Sequence, residues 1–185
     1  MTNRGQWIAV SAVLIAIAGL VGAGLALSGD LAPVSVGARA PAFQAPDLAT
    51  GDTMGLADYS GEVVLLNIWA TWCGPCEQEM PSMERLHQAL GPEGLKIVAV
   101  SIDDGDADGV RRWLADRNLT FQVLWNRSGG IQRTYQTTGV PESFVIDRHG
   151  VIVKKLIGAT EWDHPTQKAL FRRLLADRSQ AQGGG

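Results

Sequence analysis

The chain opens on an unbroken apolar run and then changes character. From Trp7 to Leu27 the sequence WIAVSAVLIAIAGLVGAGLAL carries no charge. At about 1.5 Å per residue, a helix of that length reaches across about 30 Å of hydrocarbon. Arg4 and the α-amino group precede it, and Asp30 and then Arg39 are the first charges after it. That bias predicts residues 1–6 in the cytoplasm, residues 7–27 as a single-pass transmembrane anchor, and the rest on the periplasmic or extracytoplasmic side. A cleaved signal peptide is the competing reading, with Gly24-Leu25-Ala26 as a poor cleavage site and a run longer than the about 7–15 apolar residues export needs. Both readings export the remainder.

Residues 28–41 (SGDLAPVSVGARAP) are rich in Gly, Pro and Ala and lack periodicity, the pattern of a linker. A domain is expected over residues 42–178. Its first extended segments, around Phe43–Asp47 and Thr53–Leu56, flank Thr50-Gly51-Asp52 as a hairpin. Val63–Trp69 (VVLLNIW) is almost wholly apolar, as in a strand buried on both faces. Gly74–Leu90 reads as a helix with Pro75 in its first turn, Met80, Met83, Leu86 and Leu90 near one face, and Pro81 placed to kink it. Leu95–Ile102 is a second buried strand. Asp106–Asn118 is a helix with Val110, Trp113 and Leu114 at i, i+3, i+4. Phe121–Trp125 is a third strand, and a short helix follows around Gly130–Gln136. Ser143–Asp147 and Val151–Ile157 flank Arg148-His149-Gly150 as a second hairpin, Thr166–Asp177 closes the domain as a helix, and residues 179–185 are expected to be a disordered tail. Alternating strands and helices followed by a hairpin and a helix predict an α/β fold with a mixed central sheet.

Composition narrows the partners. The chain has 185 residues, enough for one domain, and Lys+Arg 16 against Asp+Glu 19 gives a net charge of −3. No basic cluster is present to follow a phosphate backbone, so nucleic acid is excluded as the expected partner.

The cysteines carry the chemistry. There are two, in Trp72-Cys73-Gly74-Pro75-Cys76, between the end of a buried strand and the start of a helix. Helix N-terminal N–H groups and the macrodipole favour a thiolate, which makes Cys73 the candidate nucleophile. Cys76, one turn deeper, is the resolving thiol that would attack a mixed disulfide at Cys73. A zinc site needs two further ligands, and His87, His149 and His164 form no H-x₃₋₅-H pair; no metal or other cofactor is expected. Covalent haem needs His after the second Cys, where Glu77 stands. A purely structural disulfide remains open, although such bridges usually close longer loops.

Ile68-Trp69-Ala70-Thr71-Trp72-Cys73-Gly74-Pro75-Cys76 closely resembles the active-site segment of thioredoxins. The apolar N-terminus, the hairpin before Val63, Glu79-Met80-Pro81, and Gly139-Val140-Pro141-Glu142-Ser143-Phe144-Val145-Ile146-Asp147 resemble the TlpA-like membrane-anchored thioredoxins, which include those of cytochrome c maturation. The resemblance spans roughly residues 37 to 175. It implies a thioredoxin fold with an N-terminal hairpin extension and a central insertion between Asp103 and Val140, preceded by one transmembrane helix. It also implies a cis-proline at Pro141 facing the redox box, a Val140 backbone that hydrogen-bonds an incoming substrate strand, and a buried acid at Glu79 that moves the proton of Cys76. From the residues alone, Glu79 reads equally as an acid favoured by the dipole of the early helix. Asn67 stands where thioredoxins carry a buried Asp, which leaves Glu79 or water for any proton relay. Trp69 is expected to pack, and Trp72 to stand at the rim of the site and touch substrate.

The expected activity is exchange with protein disulfides, in the reducing direction. It is supplied by a membrane thiol electron donor, with an apocytochrome c as the client the resemblance implies. Two alternatives stand beside it. A peroxiredoxin-type thiol peroxidase would place its cysteine in P-x-x-x-T-x-x-C, but Thr71 precedes Cys73 by two residues only. A redox-inactive binding module of the same fold would not need both Cys73 and Cys76.

Overall fold

The structure is a computed structural model describing residues 3–28 and 33–177. Residues 1, 2 and 29–32, in the expected cytoplasmic N-terminus and linker, lie outside the described residues, as does the expected tail 179–185.

Helix α1, Asn3–Ser28, forms a unit by itself. Its apolar side chains, among them Ile8, Leu14, Ile15 and Leu20, are exposed. Among the described residues no helix is long and apolar enough to cross a membrane.

The second unit begins at Val34. A two-stranded antiparallel hairpin, β1 (Gln44–Pro46) and β2 (Thr53–Gly55), comes first, with a 3-10 turn at Leu56–Tyr59. The central elements are β3 (Val63–Trp69), α2 (Gly74–Leu90), β4 (Leu95–Ser101), α3 (Ala107–Asp116), β5 (Gln122–Trp125), α4 (Gly130–Thr134), β6 (Glu142–Ile146), β7 (Ile152–Ile157) and α5 (Pro165–Ala176). The sheet runs β5-β4-β3-β6-β7. β3 pairs in parallel with β4 and β4 with β5, while β6 runs antiparallel to both β3 and β7, so the sheet is mixed.

The apolar runs explain this order. Every residue of β3 and of β6 is buried, which suits the interior of a sheet covered on both faces. On α2 the predicted face, Met80, Met83, Leu86 and Leu90, is wholly buried. The helix continues through Pro81, the interior proline that costs it one backbone bond. Asp106 caps α3 by accepting from the Gly109 N–H.

The linker expectation requires a correction. Val34 is buried, the Gly37 N–H donates to the Ile152 carbonyl, the Ile152 N–H donates to the Ala38 carbonyl, and the Ala40 N–H donates to the Gly150 carbonyl. Residues 34–41 therefore belong to the folded unit and cover part of the outer edge of β7. Gly37, at φ +90°, adopts the left-handed turn that lets the segment do so. On the opposite edge, the Leu48 N–H donates to the Val123 carbonyl of β5. Both additions occupy edge strands that would otherwise offer unpaired backbone.

Candidate functional site

The carboxyl end of β3 delivers the chain to the N-terminus of α2, and the cysteines sit at that junction. Cys73 is the N-cap of the helix and its Sγ accepts the Cys76 N–H at 3.1 Å. Gly74 and Pro75 fill the first turn, where the missing proline N–H costs nothing. The two cysteines form a disulfide, with Cα atoms 5.2 Å apart. Cys76 is fully buried and Cys73 nearly so, at 5% exposure, so the approach to the pair is through Cys73.

The loop before β6 faces this pair. The Val140–Pro141 peptide bond is cis, as the resemblance implies, and the Val140 carbonyl oxygen lies 3.4 Å from Cys73 Sγ. Among the described residues, no hydrogen bond is made by the Val140 N–H. A free backbone N–H and C=O beside the sulfur are what an added strand requires. Trp72 stands at the rim, 65% exposed, while Trp69 is buried and packs against Trp113 of α3, the ring centroids 5.0 Å apart and the planes tilted by 40°.

Glu79 lies one turn beyond Cys76, on the same side of α2. It is buried, at 2% exposure, and its two oxygens face different neighbours. Oε1 accepts from Asn67 Nδ2 at 2.8 Å. Oε2 accepts the Thr160 N–H at 3.0 Å and the Trp162 indole N–H at 3.2 Å. Asn67 Nδ2 also donates to Ser143 Oγ at 2.8 Å, so the amide joins β3, α2 and β6. Burial pushes the Glu79 carboxyl up to about 7, and the bonds from Asn67, Thr160 and Trp162 offset only part of that rise. Glu79 is thus a buried acid whose carboxyl lies well above the usual carboxylate range.

Several supporting residues carry no signal in the sequence. Asp103 follows β4 and pins the turn before Cys73: its carboxylate accepts the Thr71 N–H at 3.1 Å and the Ser101 hydroxyl at 2.7 Å. Arg117 pairs with Glu77 beside the redox helix and lies 3.9 Å over the Trp113 ring. Thr160 and Trp162 reach Glu79 from a loop 81 and 83 residues away. Among the described residues no group of three His, Cys, Asp or Glu side chains stands together as a metal-ligand set.

A disulfide at a helix N-terminus, a cis-proline against it and a mixed sheet beneath define a thioredoxin-fold dithiol-disulfide oxidoreductase. Similarity to known proteins points the same way. Residues 36–155 match the AhpC/TSA family. The thiol-disulfide oxidoreductase ResA of Bacillus anthracis is 35% identical over 148 residues, 79% of this chain and 84% of that protein. ResA of Geobacillus thermodenitrificans is 38% identical over 69% of this chain and 71% of its own. A crystal structure from Chlorobium tepidum, assigned as thiol:disulfide interchange protein DsbE, superposes with a TM-score of 0.65 at 33% identity, covering 76% of this chain and 95% of that one. The chain belongs to the AhpC/TSA family and stands among its TlpA-like thiol-disulfide oxidoreductases.

Proposed function

We propose that this enzyme is an exported, membrane-tethered protein-disulfide reductase. One observation carries the direction: the buried carboxyl of Glu79 beneath the cysteine pair. Any thiol at a helix N-terminus gains from the helix amides, and this favours the thiolate. Glu79 opposes that gain, because a carboxylate one turn from Cys76 resists a second negative charge on sulfur. The dithiol is then less stable relative to the disulfide, so it gives up its electrons more readily.

In the forward reaction the Cys73 thiolate attacks a client disulfide, forming a mixed disulfide and releasing one client sulfur as thiolate. Cys76 passes its proton to Glu79 and attacks Cys73 Sγ, expelling the second client sulfur. Two electrons have moved to the client, and the Cys73–Cys76 disulfide is left. The cis-Pro141 loop supports a client strand against the Val140 backbone, and Trp72 supplies an exposed aromatic face at the rim. In an oxidising compartment such an enzyme needs a membrane thiol donor to restore its dithiol. An apocytochrome c, whose C-x-x-C must be reduced before haem attachment, fits as client through the family resemblance. The tether is argued from the uncharged run of 7–27 and the exposed apolar side chains of α1.

The test uses an oxidised C-x-x-C-H peptide and the reduced full chain. Cys76→Ser accumulates a covalent complex with the peptide through Cys73, and Cys73→Ser does not. Equal trapping by both variants contradicts the attacking and resolving roles. Rapid turnover of hydrogen peroxide without peptide reduction would favour the peroxidase reading instead.

A further inference from the structure

The carboxylate of Glu79 faces two ways, and Glu79 and Thr160, the residue whose N–H Oε2 accepts, both line a groove. Oε1 is turned to Asn67 in the core, and Oε2 to the loop between β7 and α5. On that outer side lies this groove of about 220 Å3, with Gln78, Glu79, Ser82 and Arg85 of α2 on one wall and Ala159 and Thr160 on the other. That is well above the about 10–15 Å3 of such space that one water needs, so the groove admits water. The walls are held in place: the Ser82 hydroxyl contacts the Thr160 carbonyl at 3.2 Å and accepts the Trp162 N–H at 2.9 Å, and Arg85 pairs with Asp163 at 2.6 Å. The charged groups around this side are Arg85 of α2 and Glu161 and Asp163 of the loop. From β3 and β6, Glu79 meets the neutral Asn67, which is itself bonded to Ser143.

We propose that this groove is a proton port, through which Glu79 exchanges the proton of Cys76 with water on a side of the domain separate from the client-binding face. The inference rests on the reading of Glu79 as the acid that takes that proton. During release, a docked client covers Cys73 and the Val140–Pro141 loop, which closes the sulfur side to solvent. The proton taken from Cys76 then leaves Glu79 through the groove, and water there accepts it. The exchange of sulfur bonds is unaltered; only the route of one proton is assigned. A port of this kind changes the rate of the second step and leaves the equilibrium potential alone.

Two measurements on the full chain test it. By NMR, the Trp162 indole N–H, bonded to Glu79 Oε2, exchanges with solvent at least about tenfold faster in the wild type than in Ala159→Phe, where the groove is filled. Equal rates would show that water does not reach Glu79 by this route. Second, Ala159→Phe fills the groove. It is expected to slow Trp162 exchange and to slow release of reduced peptide about tenfold, part of the 10²–10⁴-fold a positioned acid–base group supplies. Mixed disulfide accumulates as a result, while its rate of formation and the midpoint potential stay at wild-type values. Slowed Trp162 exchange with unchanged release would overturn the port. If the enzyme proves not to reduce the peptide at all, the reductase reading fails, and the indole comparison still decides whether the groove admits water to Glu79.

Discussion

Glu79 is the residue on which the chemistry and the stability of the fold meet. The unfolded chain ionises this carboxyl near its ordinary value of 4.5, and the folded chain near 7. Between those values the folded state holds a proton that the unfolded state has lost, so stability falls as pH rises through this window and levels off above about 7. At about 1.4 kcal/mol per pH unit, the loss amounts to about 3 kcal/mol. Glu79→Gln is expected to remove this slope, so that its urea midpoint matches at about pH 5 and pH 8 while the wild-type midpoint drops. A wild-type slope retained by the variant would assign the effect elsewhere. Only part of this residue's setting is legible in the sequence. Cys73, Cys76 and Pro141 are declared by short local motifs. The partners that tune Glu79 are not, because Thr160 and Trp162 sit more than 80 positions away in an aperiodic loop and act through one backbone and one indole N–H.

Among the elements, legibility follows side-chain pattern. The long apolar run of β3 and the Pro75 start of α2 put their boundaries where the structure has them, since burial on both faces and a fixed proline φ leave few alternatives. Residues 34–41 look like linker in the sequence because their backbone bonds to β7 need no periodic side chains. Helix α3, between β4 and β5, braces the redox helix through the Arg117–Glu77 pair, and its Trp113 packs against Trp69 of β3. Its N-cap is a local test of this bracing element. Asp106→Ala removes the acceptor for the Gly109 N–H and is expected to cost about 1 kcal/mol of stability, seen as a lower denaturant midpoint with unchanged slope. A cost near zero would mean that α3 is held by its packing alone.

At the scale of the whole molecule, the sheet protects its own edges and the cysteine pair opens at one end, leaving direction and place as the functional questions. Place is tested by fractionation: the full chain is expected to sediment with membranes and resist alkaline extraction, with its redox box accessible to thiol reagents from outside intact cytoplasm. A soluble product beginning near residue 27 would instead support the cleaved signal. Direction rests on the opposition between the helix amides at Cys73 and the buried acid beneath Cys76. The midpoint potential of the Cys73/Cys76 couple in the full chain tests it most directly. The expected value lies near that of reducing thioredoxins, about −270 mV, and rises when Glu79 is replaced by Gln. A wild-type value near about −120 mV, typical of a dedicated disulfide-forming oxidant, would contradict a reductase.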